Sequence, residues 1–331
     1  MQTPRHDVAP PAGPAGGASG APLAAFATLA LGPCDAGRTV RQVLLGRLHL
    51  SRSLLRRLKA CGGIRVDGRP ARVSDVLGPG DRALVLSLPA ELPAAPEPVA
   101  VPVVYEDAHV MVVDKPAGLV VHPSRGHPGG TLVNGVVYHR LERGEPPWVH
   151  PVHRLDKETS GLMVIAKDPY VHERLAPHSP SGRAALKRWY VALVHGRLQP
   201  AAGTVAVAIQ EPPPESATRT PALAGGGKAA LTRYRSLCYV GLPDGREASV
   251  VALSLGSGRT HQIRVHMAHL GHPVVGDPLY GRPAVEAGLP SPPGYDEAPR
   301  MALHAHKVSL AHPVTGRRLV LKSPVPFAPF A

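Results

Sequence analysis

Residues 153–168 read HRLDKETSGLMVIAKD. His153, Arg154 and Asp156 set an imidazole, a guanidinium and a carboxylate almost side by side, and the apolar run Leu162 to Ala166 follows closely. Ionic groups are costly to bury unless they are paired. A short, branched, apolar run bounded by Gly161 and Lys167-Asp168 predicts a strand. The charged residues then fall on the loop that enters it, where folds commonly present functional groups. On these residues alone two roles stay open for Asp156: a structural ion pair with Arg154, or a reactive carboxylate.

Runs of the same kind recur on both sides. HVMVVDKP (109–116), RWYVALVHG (188–196), TVAVAIQ (204–210), AALTRYRSLCYV (229–240) and SVVALSLG (249–256) all read as strands. LHAHKVSLAHPVTGRRLVLKSP (303–324) reads as a hairpin turned near Thr315-Gly316. Helical patterns are fewer: TLVNGVVYHRLE (131–142), YVHERLA (170–176) and THQIRVHMAHLG (260–271). Strands dominate without regular βαβ alternation. The expected class is α+β, with a mostly antiparallel, mixed sheet.

Ahead of this region stands a smaller unit. SRSLLRRLKACGG (51–63) carries a good N-cap in Ser51 and a good C-cap in Gly62. Leu54, Leu55 and Leu58 share one helical face, and Arg52, Arg56 and Lys59 share another with no acidic residue among them. IRVDGRPARV (64–73) turns at Asp67-Gly68, a strong hairpin signal, and ALVLSL (83–88) adds a strand. The division expected is a disordered Pro/Gly/Ala-rich tail over 1–37, a small α/β RNA-binding domain over 38–90, a Pro-rich linker over 91–101 and a large domain over 102–331. Two Pro/Gly-rich stretches, near 211–229 and 282–299, read as long surface loops.

The chain has 331 residues and a formal net charge of +13, a balance that favours polyanionic partners such as nucleic acid. Three scattered cysteines, Cys34, Cys61 and Cys238, form no CxxC pair and indicate neither a disulfide framework nor a cysteine zinc site. Neither a basic-then-apolar leader nor a membrane-length apolar run is present, so a soluble cytoplasmic protein without membrane contact is expected.

A second stretch bears on chemistry: SGRTHQIRVHMAHLGHPVVGDPLYG (257–281). Thr260 is the expected cap of its helix and Gly271 the expected stop. Ile263, Met267 and Leu270 form a core stripe, and Gln262, His266 and His269 a polar one. Arg259, just before the helix start, joins the positive end of the helix as a natural anion site, for RNA phosphate or for a carboxylate. His304 and His306 alternate onto one strand face and invite a zinc reading. No HExxH or carboxylate cluster accompanies them, and no metal is expected. Tyr190, opposite in facing to Trp189, could stack on a base or simply fill a half-buried strand position.

Taken in order, DKPAGLVVHP (114–123), HRLDKETSGLMVIAKD, KRWYVALVHG (187–196), GRTHQIRVHMAHLGHPVVGDPLYG and MALHAHKVSLAHPVTG (301–316) resemble the RluA family of RNA pseudouridine synthases. Residues 38–90 resemble the small alpha-L type RNA-binding module of a ribosomal protein. The resemblance implies an isomerase acting on ribosomal or transfer RNA without a cofactor. It implies Asp156 as catalytic aspartate, Arg259 as its partner, and Tyr190 stacked on the uracil. Arg154 would enter the RNA where the target uridine leaves its stack. His153, Gln262 and His266 are expected RNA contacts in the large domain, and Arg52, Arg56 and Lys59 in the small one. A monomer is expected. Two rivals are a catalytically silent RNA-binding factor and a metal-dependent nuclease; the first lacks a use for the Arg154, Asp156, Tyr190 and Arg259 set, and the second lacks a carboxylate cluster.

Overall fold

The computed structural model describes residues 21–175, 186–211, 218–222, 225–242, 245–281 and 300–327. The small unit comprises β1 (Leu23–Ala30), α1 (Val40–Gly46), α2 (Arg52–Cys61), β2 (Ile64–Val66), β3 (Arg69–Pro70) and β4 (Ala83–Pro89), its sheet ordered β1-β4-β2-β3. Ser51 caps α2 by accepting a hydrogen bond from the Leu54 amide at 3.0 Å, and Gly62 ends it in the left-handed conformation. Leu54, Leu55 and Leu58 are buried, while Arg52, Arg56 and Lys59 face solvent. Asp67 and Gly68 both take positive φ, as a tight hairpin turn requires.

One boundary differs from expectation. Of the tail expected over 1–37, residues 1–20 lie outside those described, but β1 pairs along its length with β4 and buries Phe26. The stretch LAAFATLA is mostly small residues with no bulky alternation, so its strand character comes from β4 beside it rather than from its own pattern.

The large unit follows: β5 (Val103–Glu106), β6 (Val110–Lys115), α3 (Leu132–Leu141), β7 (His150–Pro151), β8 (Ser160–Ala166), α4 (Pro169–Leu175), β9 (Lys187–His195), β10 (Ala202–Val205), β11 (Ile209–Gln210), β12 (Thr220–Pro221), β13 (Thr232–Gly241), β14 (Glu247–Leu255), α5 (Gln262–His269), β15 (Leu303–Ala311) and β16 (Arg318–Lys322). The main sheet runs β10-β13-β14-β9-β15-β8-β6-β5, with β16 beside β15 and β7 beside β8. Among the described strands β15 and β8 pair in parallel and the rest antiparallel, giving the expected mixed α+β sheet. β8 is buried at every residue. Met163 and Ile165 pack with α3 on one face, Leu162 and Val164 with α4 on the other, which is why its sequence reads as a continuous apolar run.

The Pro-rich segment between the units does not leave them independent. Trp148 inserts into the small unit's core beside Phe26 and donates its indole N–H to the Pro89 carbonyl at 3.0 Å. Glu173 of α4 accepts from the Ser51 amide at 3.2 Å, so the cap of α2 is held by the large unit.

Several histidines are structural. His304 is buried and bonds Ser160 Oγ at 2.9 Å and Ser323 Oγ at 3.0 Å. His306 bonds the Ser323 carbonyl at 2.7 Å. Among the described residues no group of three or more His, Cys, Asp or Glu is arranged to hold a metal. Burial pushes His153 down to about 3, and His150 and His304 down to about 4. Each stays neutral in the fold but takes up a proton in the unfolded chain once pH falls below about 6.5. Their contribution is therefore complete above that value and declines as pH falls toward 4, by about 1.4 kcal/mol per pH unit for each such group. The urea midpoint is expected to hold between pH 7 and 8 and to fall steeply from pH 6.5 to 4.5. An unchanged midpoint at pH 5 would show that these rings are protonated in place.

Candidate active site

A cleft of about 1680 Å³ opens between the loop 152–159, the cleft-facing side of β9 and the start of α5. The loop is braced from below. Lys115, at the end of β6, is fully buried and its ammonium donates to the carbonyls of Pro116 at 2.8 Å, Leu119 at 2.8 Å and Lys157 at 2.9 Å. Burial lowers it to about 8, with Glu158 and Asp156 acting in the opposite sense. Gly161 carries the loop into β8 at φ 111°, where an added Cβ would stand 2.5 Å from the Ala305 carbonyl oxygen. A side chain there would push β8 off β15.

Asp156 is the carboxylate this bracing presents. Its Oδ2 lies 3.4 Å from Nη1 of Arg264, and its Oδ1 lies 3.9 Å from Nε2 of His261. Arg264 is itself anchored: Nε and Nη2 each donate to the Asp277 carboxylate at 2.7 Å. Asp277 is fully buried and also accepts from the amides of Leu279 at 2.9 Å and Tyr280 at 3.1 Å. Burial works against the Arg264 charge, but the bonds and field of Asp277, then Asp156, outweigh it and raise its pKa. The guanidinium also lies 5.0 Å over the Tyr280 ring. One arginine thus serves two carboxylates: a sealed one that fixes its plane and a cleft-facing one.

The expected partner, Arg259, does not pair with Asp156. It is exposed, and its Nε donates to the Ala229 carbonyl at 3.0 Å. The helix begins later than expected, at Gln262, with His261 rather than Thr260 at the cap position and in the left-handed conformation, φ 57°. That turn carries Arg259 to the rim and Arg264, one helical turn inside, to the carboxylate. A signal for Arg264 was present: an arginine between Ile263 and Val265, two core-type residues, needs an anion, and GDP supplies one at Asp277.

Two expected RNA contacts, Gln262 and His266, are instead structural. Gln262 is buried; its amide nitrogen donates to the Leu231 carbonyl at 2.9 Å and Thr232 Oγ1 at 3.0 Å, and its oxygen accepts from the Arg259 amide at 3.0 Å. His266 is fully buried between Thr232 Oγ1 at 2.8 Å and the Val207 carbonyl at 2.9 Å. Both hold α5 against β13. His153 lines the cleft, and its Nε2 accepts a hydrogen bond from the Val164 amide at 3.1 Å, which ties the ring to β8. Arg154 is exposed at the cleft mouth. Tyr190 reaches the cleft from β9 with its ring in the core, and burial raises its pKa. His261 was not anticipated; a histidine inside a helix pattern gives no sign of a left-handed turn. Of the two Pro/Gly-rich stretches, 282–299 lies outside the described residues, as do 212–217 and 223–224; the rest of 211–229 includes β12, paired antiparallel with β11.

Residues 109–269 match the family described as RNA pseudouridylate synthase. The chain is 37% identical over 285 residues to an uncharacterised RNA pseudouridine synthase of Bacillus subtilis, covering 85% of this chain and 93% of that one. It is 40% identical over 272 residues to ribosomal large subunit pseudouridine synthase D of Pseudomonas aeruginosa, covering 80% and 81%. Among solved structures, human RNA pseudouridylate synthase domain containing 1 superposes with a TM-score of 0.55 at 28% identity, covering 70% of this chain and 86% of that one.

The Arg264–Asp277 pair has a testable cost. Asp277→Asn strands a buried guanidinium and is expected to lower stability by about 3–5 kcal/mol, read as the urea midpoint. Arg264→Met with Asp277→Leu removes both charges and should recover most of that loss. A midpoint unmoved by Asp277→Asn would mean that water, not Asp277, satisfies Arg264.

Proposed function

The chain belongs to the RluA-type RNA pseudouridine synthases, isomerases that act on RNA, and from that premise we propose that Asp156 carries the reaction and that the substrate is large-subunit ribosomal RNA. The observation that carries the first part is a carboxylate held in a cleft by an arginine whose own orientation is set by a sealed second carboxylate. The second part draws on relatives named for the large ribosomal subunit, such as the Pseudomonas aeruginosa protein.

The isomerisation breaks the bond from ribose C1′ to uracil N1 and forms one from C1′ to uracil C5. The proton leaves C5 and N1 gains one, so atoms and electrons balance within the nucleotide and no cofactor is called for. Asp156 acts either on C1′ as nucleophile or on the neighbouring ribose carbon as base. Both roles want an ionised, oriented carboxylate away from bulk water. A unit charge at ~4 Å is worth about 4 kcal/mol at an effective dielectric near 20, before desolvation, and Arg264 is the fixed cation that orients the carboxylate. Tyr190 stacks on the turned base and borders C5. Arg154, at the mouth, fills the gap that the flipped uridine leaves, offsetting part of the unstacking cost. The exposed basic face of α2 (Arg52, Arg56, Lys59) binds phosphates outside the cleft. No helix among the described residues is long and apolar enough to cross a membrane; we place the protein in the cytoplasm, with its RNA, as a monomer.

Asp156→Asn is nearly isosteric and should fold and bind RNA while pseudouridine formation falls by about 10³-fold or more. Arg264→Lys keeps the charge but loses the planar fork, and should be slowed at least about tenfold, whereas Arg259→Lys should stay within a few-fold of wild type. Mapping pseudouridines in ribosomal and transfer RNA from cells with and without the gene identifies the target. Turnover by purified Asp156→Asn would remove this residue from the central role, and loss of marks confined to transfer RNA would overturn the substrate assignment.

Deleting the small unit would uncover Trp148, so its role is better tested by Arg52, Arg56 and Lys59 changed together to Ala. Three lost phosphate contacts should reduce the slope of log affinity against log salt by about 2–3, with turnover at saturating RNA unchanged. An unaltered slope would show that this face does not touch RNA.

A further inference from the structure

His261 is a non-glycine residue with φ 57°, and no side-chain hydrogen bond caps the helix at that position. Strained backbone of this kind persists where the surroundings over-determine it, and it gathers at functional sites. The left-handed turn does one visible thing: it aims the imidazole across the cleft at Asp156, Nε2 standing 3.9 Å from Oδ1. The far side of the ring is held by Tyr280, whose hydroxyl lies 2.9 Å from Nδ1, with the two rings edge to face at 5.6 Å. The same hydroxyl accepts a hydrogen bond from the Arg219 amide at 2.9 Å. One of its lone pairs is therefore taken and its proton is free to point at Nδ1. The opposite tautomer would set a bare Nε2 against a carboxylate oxygen, lone pair against negative charge. The arrangement selects a ring that accepts at Nδ1 and carries its hydrogen on Nε2.

We propose that His261 is a positioning residue for the reaction, donating its Nε2–H to Oδ1 of Asp156 once uridine fills the cleft, while Arg264 holds Oδ2. This rests on Asp156 being the reactive carboxylate. The 3.9 Å separation is too long for a hydrogen bond in the open cleft, and such contacts tighten when substrate is bound. Each carboxylate oxygen then has one donor, and the carboxylate plane is set by two fixed groups on one helix start. Burial holds the pKa of His261 below that of a free histidine, against the pull of Asp156, so the ring supplies a donor without a second positive charge beside Arg264. The chain of contacts also reaches from Asp156 to the backbone of Arg219, at the edge of the Pro-rich loop.

The test uses two variants of the full chain. In His261→Gln the side-chain amide can reach the place of Nε2–H; in His261→Asn it can reach only the place of Nδ1. Asparagine is the more tolerant of left-handed backbone, so a purely conformational role favours Asn and a donor role favours Gln. Single-turnover conversion by His261→Gln should remain within a few-fold of wild type. His261→Asn should lose about tenfold to a hundredfold, the range for one hydrogen bond to a charged group, with RNA affinity unchanged. Equal rates in the two variants would overturn the donor role. Asp156→Asn run alongside separates this from the reading beneath it. Turnover by Asp156→Asn overturns both; an inactive Asp156→Asn with a wild-type rate in His261→Asn overturns the positioning role alone.

Discussion

The cleft depends on one buried ion pair. Arg264 and Asp277 are both sealed from water, and two charged groups removed from solvent are stable only if their hydrogen bonds are nearly complete. Asp277 meets that demand with two guanidinium donors and two backbone amides. Arg264 meets it with one nitrogen left over, and that nitrogen faces Asp156. The geometry of the exposed charge is thus inherited from the sealed one. The pair also fastens α5 to the segment 277–280, which carries Tyr280.

A second constraint comes from the sheet. β8 is covered on both faces, and the loop carrying Asp156 must enter it without leaving carbonyls unpaired. The buried ammonium of Lys115 takes one of them, that of Lys157, together with the Pro116 and Leu119 carbonyls of the turn after β6. Gly161 then allows β15 to lie close enough to pair in parallel with β8, through His304 and Ala305. A charged residue in the core and a glycine in a strand are both unfavourable by local rule, and both are explained by the loop they hold.

Much of the site was legible along the chain. Asp156 stood out because charged residues crowd the entry to an apolar strand, and Tyr190 because strand alternation sends it opposite to Trp189. The basic face of α2 followed from helical spacing, with Ser51 and Gly62 marking its ends. The choice between Arg259 and Arg264 was not legible. It turns on where α5 begins, and a left-handed histidine moves that point past Thr260. Gln262 and His266 share a polar stripe that suggests solvent or ligand, yet β13 covers it and Thr232 bonds both side chains. His153 shares the charged loop but turns inward to the Val164 amide.

Local pattern by itself determined the α+β class, most of the strands and helices, the hairpins at Asp67-Gly68 and Thr315-Gly316, and the carboxylate at the mouth of β8. These follow from periodicity, capping and turn chemistry, which act within a few residues. The run 204–210, which reads as one strand, is split between β10 and β11 of different sheets. Only the tertiary structure decided that β1 belongs to the small unit's sheet, that Trp148 joins the two units, that Arg264 and not Arg259 faces Asp156, and that His261 completes the arrangement. Each of these is a pairing between residues far apart in the chain. Burial and charge compensation select such partners among groups that the fold first brings together, and one sequence does not reveal which groups those are.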